Sequence, residues 1–205
     1  MNSSGGTSGN AAVTLNPAAV KSPWLVRNSD GTLTFWAPTK GATTTNSKHP
    51  RTELVSTSDW SAGSGTHTLN ATLKVQQLPG AHDIIIGQIH CGGSTSSIPL
   101  LMLHYNNGNV TVAIRTSPTV AGTDNATILT GIPLNATFSY TVTSNGSNFT
   151  MSASYNGRSG SKTIAMRSAF KGYDVRWQAG DYQQGEQTSS GTDGGRMTIS
   201  SLTKS

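Results

Sequence analysis

Apolar and polar residues alternate along most of this chain with the period of two that sends successive side chains to opposite faces of a β-strand. Between Thr66 and Val75, the residues Leu69, Ala71, Leu73 and Val75 fall on one face with polar residues between them. The same rhythm predicts strands at Leu33–Ala37, Asn109–Arg115, Thr137–Thr143, Phe149–Tyr155, Lys162–Met166, Tyr173–Tyr182 and Arg196–Leu202. Apolar runs predict two more: Asp83–His90, around Ile84-Ile85-Ile86, and Pro99–Tyr105, which leads into the turn Asn106-Asn107-Gly108. Short strands separated by turn residues describe a sandwich of two antiparallel sheets. Only Ser168–Gly172 and the region around Pro17–Ser22 leave room for a helical turn. The irregular stretches Gly41–Ser47, Gly92–Ser97, Ser117–Asn125 and Gly185–Gly195 are candidates for the walls of a cleft. Residues Met1–Asn10, rich in Gly, Ser and Asn, read as a flexible leader, and residues 11–205 as a single domain without internal repeats.

Composition strengthens the all-β reading. Charged residues make up only 11% of the chain and Gly occurs 23 times. Thr, Val, Ile and turn formers take the place of the Ala, Leu, Glu and Lys that long helices need. The formal net charge of +5 favours a polyanionic partner. The 14 basic residues are scattered, whereas nucleic-acid readers cluster them on one face with aromatics between, so an acidic polysaccharide is expected and nucleic acid is not. No apolar run has the length of a membrane span, so no membrane partner is expected either. The single cysteine, Cys91, leaves no intrachain disulfide. Sequons at Asn2, Asn70, Asn109, Asn125, Asn135, Asn145 and Asn148 lean towards an extracellular protein. The first twenty residues lack a basic start followed by an apolar stretch, so a secreted protein would here be without its leader.

Three distant segments carry chemistry. In Gln88-Ile89-His90 the amide and the imidazole share a face while Ile89 points to the core. A histidine exposed on a sheet, with an unperturbed pKa of about 6.5, can serve as a neutral base. Cys91 faces the other way, which argues against a Cys/His dyad. Arg51 and Glu53 share a second strand face, where the guanidinium can grip a planar carboxylate and Glu53 can hold it in place. From Arg176 through Gln178 and Gly180 to Tyr182, one face offers a cation, an amide, a gap that would admit a sugar ring, and a phenol. Each segment alone also fits a bland role: a solvated pair, a surface ion pair, a cross-strand packing residue. Together they can neutralise a carboxylate, remove the proton beside it and protonate a leaving oxygen, which is the chemistry of a polyuronate lyase.

Taken in order, the segments resemble polysaccharide lyase family seven, the alginate lyases with a β-jelly-roll fold. The family's Arg-Ser/Thr-Glu-Leu-Arg box appears as Arg51-Thr52-Glu53-Leu54-Val55, and its Gln-Ile/Val-His box as Gln88-Ile89-His90. Its Tyr-Phe-Lys-Ala-Gly-x-Tyr-x-Gln box appears as Arg176-Trp177-Gln178-Ala179-Gly180-Asp181-Tyr182-Gln183-Gln184. The approach to the first box, from Phe35-Trp36-Ala37-Pro38 to Ser47-Lys48-His49-Pro50, is also family-like. The resemblance implies a jelly roll with a concave substrate groove and cleavage of alginate by β-elimination. Arg51 and Gln88 would neutralise the uronate carboxylate. His90 or Tyr182 would take the C5 proton, and Tyr182 would protonate the departing O4, leaving a C4–C5 double bond. Glu53, Arg176 and Gln178 would line the substrate site. No metal and no cofactor is required, and a monomer is expected. Val55 departs from the family's second Arg, and Arg176 and Gln178 stand where Tyr and Lys are usual, which leaves the substrate open. By the same resemblance, Ile89 in the middle box implies a lean towards guluronate-containing blocks.

Three other functions compete for the same residues. A glycoside hydrolase needs two carboxylates flanking the bond, and the only glutamates, Glu53 and Glu186, lie far apart in the chain. A non-catalytic binding module would rely on an aromatic platform such as Trp36, Trp60 or Trp177. A β-glucuronan lyase on a neighbouring jelly roll is the nearest enzymatic alternative. A zinc site from His82, His90 and His104 lacks a recognised ligand spacing.

Overall fold

The computed structural model of the chain describes residues 22–43, 47–92 and 98–205. In chain order its strands are β1 (Leu25–Arg27), β2 (Leu33–Pro38), β3 (Arg51–Val55), β4 (Trp60–Ser61), β5 (His67–Gln77), β6 (Asp83–Cys91) and β7 (Pro99–Asn106). They continue with β8 (Asn109–Arg115), β9 (Thr123–Leu129), β10 (Thr137–Ser144), β11 (Asn148–Tyr155), β12 (Arg158–Ala165), β13 (Asp174–Gln183) and β14 (Gly194–Lys204). Two antiparallel sheets result, as the alternation predicts. One is ordered β1-β2-β14-β5-β10-β11-β12, and the other β3-β13-β6-β7-β8-β9 with β4 beside β13.

The inward rows of the two sheets form one core. Leu69, Ala71, Leu73 and Val75 of β5 and Phe138, Tyr140 and Val142 of β10 face Ile84, Ile86 and Ile89 of β6 and Leu101, Leu103 and Tyr105 of β7. Each large apolar side chain so buried contributes roughly 1.5–3 kcal/mol relative to exposure. The phenols inside are satisfied: Tyr105 Oη donates to the Ile132 carbonyl at 2.6 Å and Tyr140 Oη to the Ile86 carbonyl at 3.0 Å.

That second bond marks a bulge. On β6, Ile85 pairs with His104 and Gly87 with Leu103, so Ile86 is the extra residue. The bulge resets the alternation. Ile84 and Ile86 reach the core before it and Ile89 after it, and Gln88 and His90 are turned outwards. Gly87 makes the reset possible, because a Cβ there would stand 2.7 Å from Tyr140 Oη.

Several expectations need correction. The stretch Ser117–Asn125 is not loop throughout, since β9 begins at Thr123. Its residues Thr123-Asp124-Asn125-Ala126-Thr127 are too polar to announce a strand, because it is the edge of its sheet and only one face is covered. Edge strand β12 is longer than Lys162–Met166 suggested, and most of it is exposed. β1 and β4 are too short to leave a pattern. Ser168–Phe170 forms the expected helical turn. Met1–Asn10 lies outside the described residues, as does most of the helical turn expected around Pro17–Ser22, and Gly41–Ser47 and Gly92–Ser97 lie partly outside them.

Candidate active site

β3, β13 and β6 are neighbours, and their register gathers the three chemical segments on the outer face of one sheet. Arg51 pairs with Tyr182, Glu53 with Gly180, Gln178 with both Val55 and Gln88, and Arg176 with His90. Side-chain contacts link most of them. The Arg51 guanidinium carbon lies 4.2 Å from the centre of the Tyr182 ring. Its Nη1 is 3.9 Å from Glu53 Oε2. Gln88 Nε2 donates to Glu53 Oε1 at 2.6 Å and to Gln178 Oε1 at 3.3 Å. Ser47 Oγ stands 2.9 Å from Tyr182 Oη.

His90 is fixed by its own backbone. Its Nδ1 is 2.9 Å from the Cys91 carbonyl, which can only accept, so the ring proton sits on Nδ1 and Nε2 keeps its lone pair. Burial pushes its pKa down to about 4; the Cys91 bond opposes this, and the guanidiniums of Arg51 and Arg176 reinforce it. Cys91 itself faces the core, so no Cys/His dyad forms. Glu53 shows the opposite response. Burial raises its pKa, while Arg51 and the Gln88 bond hold it down.

The site is recessed, which corrects the expectation of an exposed histidine: His90 is 7% and Gln88 1% accessible. The Glu53 side chain, at 2%, ties Arg51 to Gln88. Gly180 is not a gap for a sugar ring either. With φ of +148°, a Cβ there would lie 2.4 Å from the Thr52 carbonyl oxygen and 3.1 Å from the Phe35 ring, so glycine answers a demand of the backbone. Gln88 Oε1, Glu53 Oε2 and Arg176 Nε are buried without a hydrogen-bond partner.

Sequence reasoning missed Ser47 as the partner of Tyr182, and His49, whose ring centre is 6.5 Å from that of Tyr182. Both lie in the family-like approach to the first box, which was the available signal. It also missed Asp181. With its neighbour Tyr182 outward, this carboxyl falls inside, where it takes the Ala37 N–H at 3.2 Å. Burial pushes its pKa well above the usual carboxylate range, Glu53 adds to the rise, and the Ala37 bond and Arg196 oppose it.

A family model described as alginate lyase matches residues 6–205. An alginate lyase from Pseudomonas aeruginosa is 33% identical over 90% of this chain and 86% of its own, with a TM-score of 0.75. Alginate lyase A1-II′, a member of polysaccharide lyase family 7, is 27% identical over 90% of this chain and 83% of its own, with a TM-score of 0.76. A histidine-to-asparagine, tyrosine-to-phenylalanine double variant of A1-II′ in complex with substrate (GGMG) is also 27% identical, over 92% of this chain and 83% of its own, with a TM-score of 0.77. No curated protein matches the chain. Matched over nearly its whole length, on a jelly-roll sandwich, the chain belongs to the alginate lyases of polysaccharide lyase family 7, enzymes that cleave their polysaccharide by β-elimination.

Proposed function

We propose that Arg51, Gln88, His90 and Tyr182 carry out the β-elimination, with Arg176 and Gln178 binding substrate and Glu53 positioning Arg51 and Gln88. The observation that carries this reading is the fixed tautomer of His90, which leaves Nε2 unprotonated on the same sheet face as the linked groups Tyr182, Arg51, Glu53 and Gln88. A uronate carboxylate set against Arg51 and Gln88 loses its repulsion for the charge that develops as C5 is deprotonated. The 3.3 Å bond from Gln88 to Gln178 is the longer of its two and is the one a carboxylate oxygen would displace. The C5 proton passes to His90 Nε2 or, from the other face of the ring, to Tyr182 acting as phenolate, which then carries that same proton to O4. The electron pair closes the C4–C5 double bond, the C4–O4 bond breaks, and O4 takes the Tyr182 proton. Ser47, hydrogen-bonded to that hydroxyl, can help to reprotonate it.

Alginate is the substrate, and the relatives solved with GGG and GGMG make guluronate-containing blocks the first to test. Val55, 42% accessible beside Gln178, departs from the family's second Arg and keeps β-glucuronan, another polyuronate, as a second substrate to test. We read the protein as a secreted, single-domain monomer, with neither nucleic acid nor membrane among its partners. Ultraviolet absorbance of unsaturated uronate, followed with mannuronate-rich, guluronate-rich and glucuronan polymers in the presence of chelator, tests the assignment. Tyr182→Phe is expected to lower kcat by at least about 100-fold while polymer binding persists. A variant that turns over normally would leave a binding module as the better reading.

A further inference from the structure

The outer face of this sheet does not end at Gln88 and His90. The register continues the row of Arg51 and Tyr182 through Ile85 on β6 to His104 on β7, Thr111 on β8 and Thr127 on β9. Ile85 is buried yet stands outside the core cluster, as expected of a residue on the outer face. Beyond it opens a recess of about 460 Å³ whose polar lining is Asp83, His104, Asn106, Thr111, Asn125 and Thr127. That volume lies within the roughly 300–1,000 Å³ typical of ligand clefts. With strands about 4.8 Å apart, His104 sits about 10 Å from Tyr182 along the row, close enough for one chain of sugars to cover both.

Its charge differs from that of the catalytic end. His104 Nδ1 lies 3.0 Å from Asp83 Oδ1 and 3.1 Å from Oδ2, so the one basic group of the recess is engaged by its one acid. Among the described residues, neither Lys nor Arg lines it. Arg115, on the same strand as Thr111, is four residues away, about 13 Å along β8. The recess therefore offers no unpaired cation among its described residues. A uronate carboxylate pointing into it would meet Asp83 and find no unpaired cation to receive it. Hydroxyl groups meet carboxylate, amide and hydroxyl partners, all of which can accept their protons.

We propose that the β7–β9 end of the groove is a sugar subsite that holds its ring by the hydroxyl groups, with the ring's carboxylate turned away from the floor. This inference rests on the lyase reading of the same groove. It follows that the groove is asymmetric: carboxylate recognition is concentrated around Arg51, and the far subsite accepts a ring whose carboxylate is esterified or replaced.

The test compares wild type, Asp83→Asn, Thr127→Val and His104→Arg on alginate trisaccharides and octasaccharides, with melting temperatures as a control for folding. Asp83→Asn is expected to raise KM for the octasaccharide about tenfold, the loss of one charge-assisted hydrogen bond. Thr127→Val, an exposed change with little risk to the fold, is expected to give a smaller rise in the same direction. The rise should be smaller for the trisaccharide, which reaches the recess only when its rings bind towards β7, and all kcat values should stay unchanged. His104→Arg should bring no gain. Equal KM values for wild type and both Asp83→Asn and Thr127→Val on the octasaccharide, or tighter binding by His104→Arg, overturn the proposal. Calorimetric titration of the same oligosaccharides reads the subsite without turnover. A wild type that binds but never cleaves sinks the lyase reading, while the length dependence of binding still decides the subsite.

Discussion

At the scale of single residues, two buried titratable groups respond to the same sheet in opposite directions. His90 is depressed to about 4, so between that value and the unfolded value of about 6.5 the unfolded chain holds a proton that the folded chain does not. Stability therefore falls as the pH drops through that window, and the base stays neutral across it. On substrates whose C5 proton His90 takes, kcat/KM is expected to keep its plateau down to about pH 5 and to fall with an acid limb near 4. A limb near 6.5 would show that His90 titrates as an ordinary surface histidine. Asp181 works the other way. Its carboxyl is raised, so its contribution to stability is complete below the unfolded value of about 3.9 and is lost as the pH rises. Asp181→Asn keeps an oxygen for the Ala37 N–H and removes the charge. It is expected to raise Tm at pH 8 by about 2–4 °C, roughly 1 kcal/mol for a chain of this size, with the gain vanishing near pH 4. A melting curve that gains equally at both pH values would mean that ionisation of Asp181 is not the cause.

At the scale of strands, the sequence was most legible where one face is covered and the other is wet. β5, β8, β10 and β11 repeat the period of two without interruption and were found almost to the residue. β6 was found as a strand, but its run Ile84-Ile85-Ile86 hides a change of phase, because a bulge leaves no compositional trace apart from Gly87. The polar edge β9 was invisible for the opposite reason: it has little apolar surface to place. Of the site, the types and faces of Arg51, Gln88, His90 and Tyr182 could be read from spacing. Their depth could not, since exposure depends on the walls around a strand. Gly180 shows the same limit. Read as an opening towards a ligand, it is a joint between β13 and β3. Gly180→Ala would press a methyl group against the backbone of Thr52 and Glu53, which cannot yield as a flexible side chain would. The variant is expected to lose about 2–4 kcal/mol. In urea its midpoint should fall with an unchanged slope, and activity should fall with it as Arg51 and Glu53 are displaced. Unaltered stability would place the strain elsewhere.

At the scale of the whole molecule, a net charge of +5 meets a polymer with a negative charge on every uronate. Two effects of that charge can be separated. Long-range attraction brings the polymer to the protein and acts on kcat/KM, and it weakens as the Debye length shrinks from about 10 Å at 0.1 M salt to about 3 Å at 1 M. Contacts at the cleavage point act within hydrogen-bond distance and lie in a recess, where salt screens them far less. Raising salt over this range is therefore expected to lower kcat/KM on polymeric alginate several-fold and to leave kcat at saturation nearly constant. A trisaccharide, with few charges outside the site, should feel less of the effect. The grouping of cations sharpens the expectation: Arg51 and Arg176 flank the reacting groups, while the β7–β9 recess carries no unpaired positive charge among its described lining residues. Salt should therefore weaken the hold on the reacting sugar's neighbours at the Arg end and spare the far subsite, so Asp83→Asn and wild type should share one salt slope. A steeper slope in one of the two would show that the recess reads carboxylates after all, and a flat slope in both would show that the polymer is captured by contact alone.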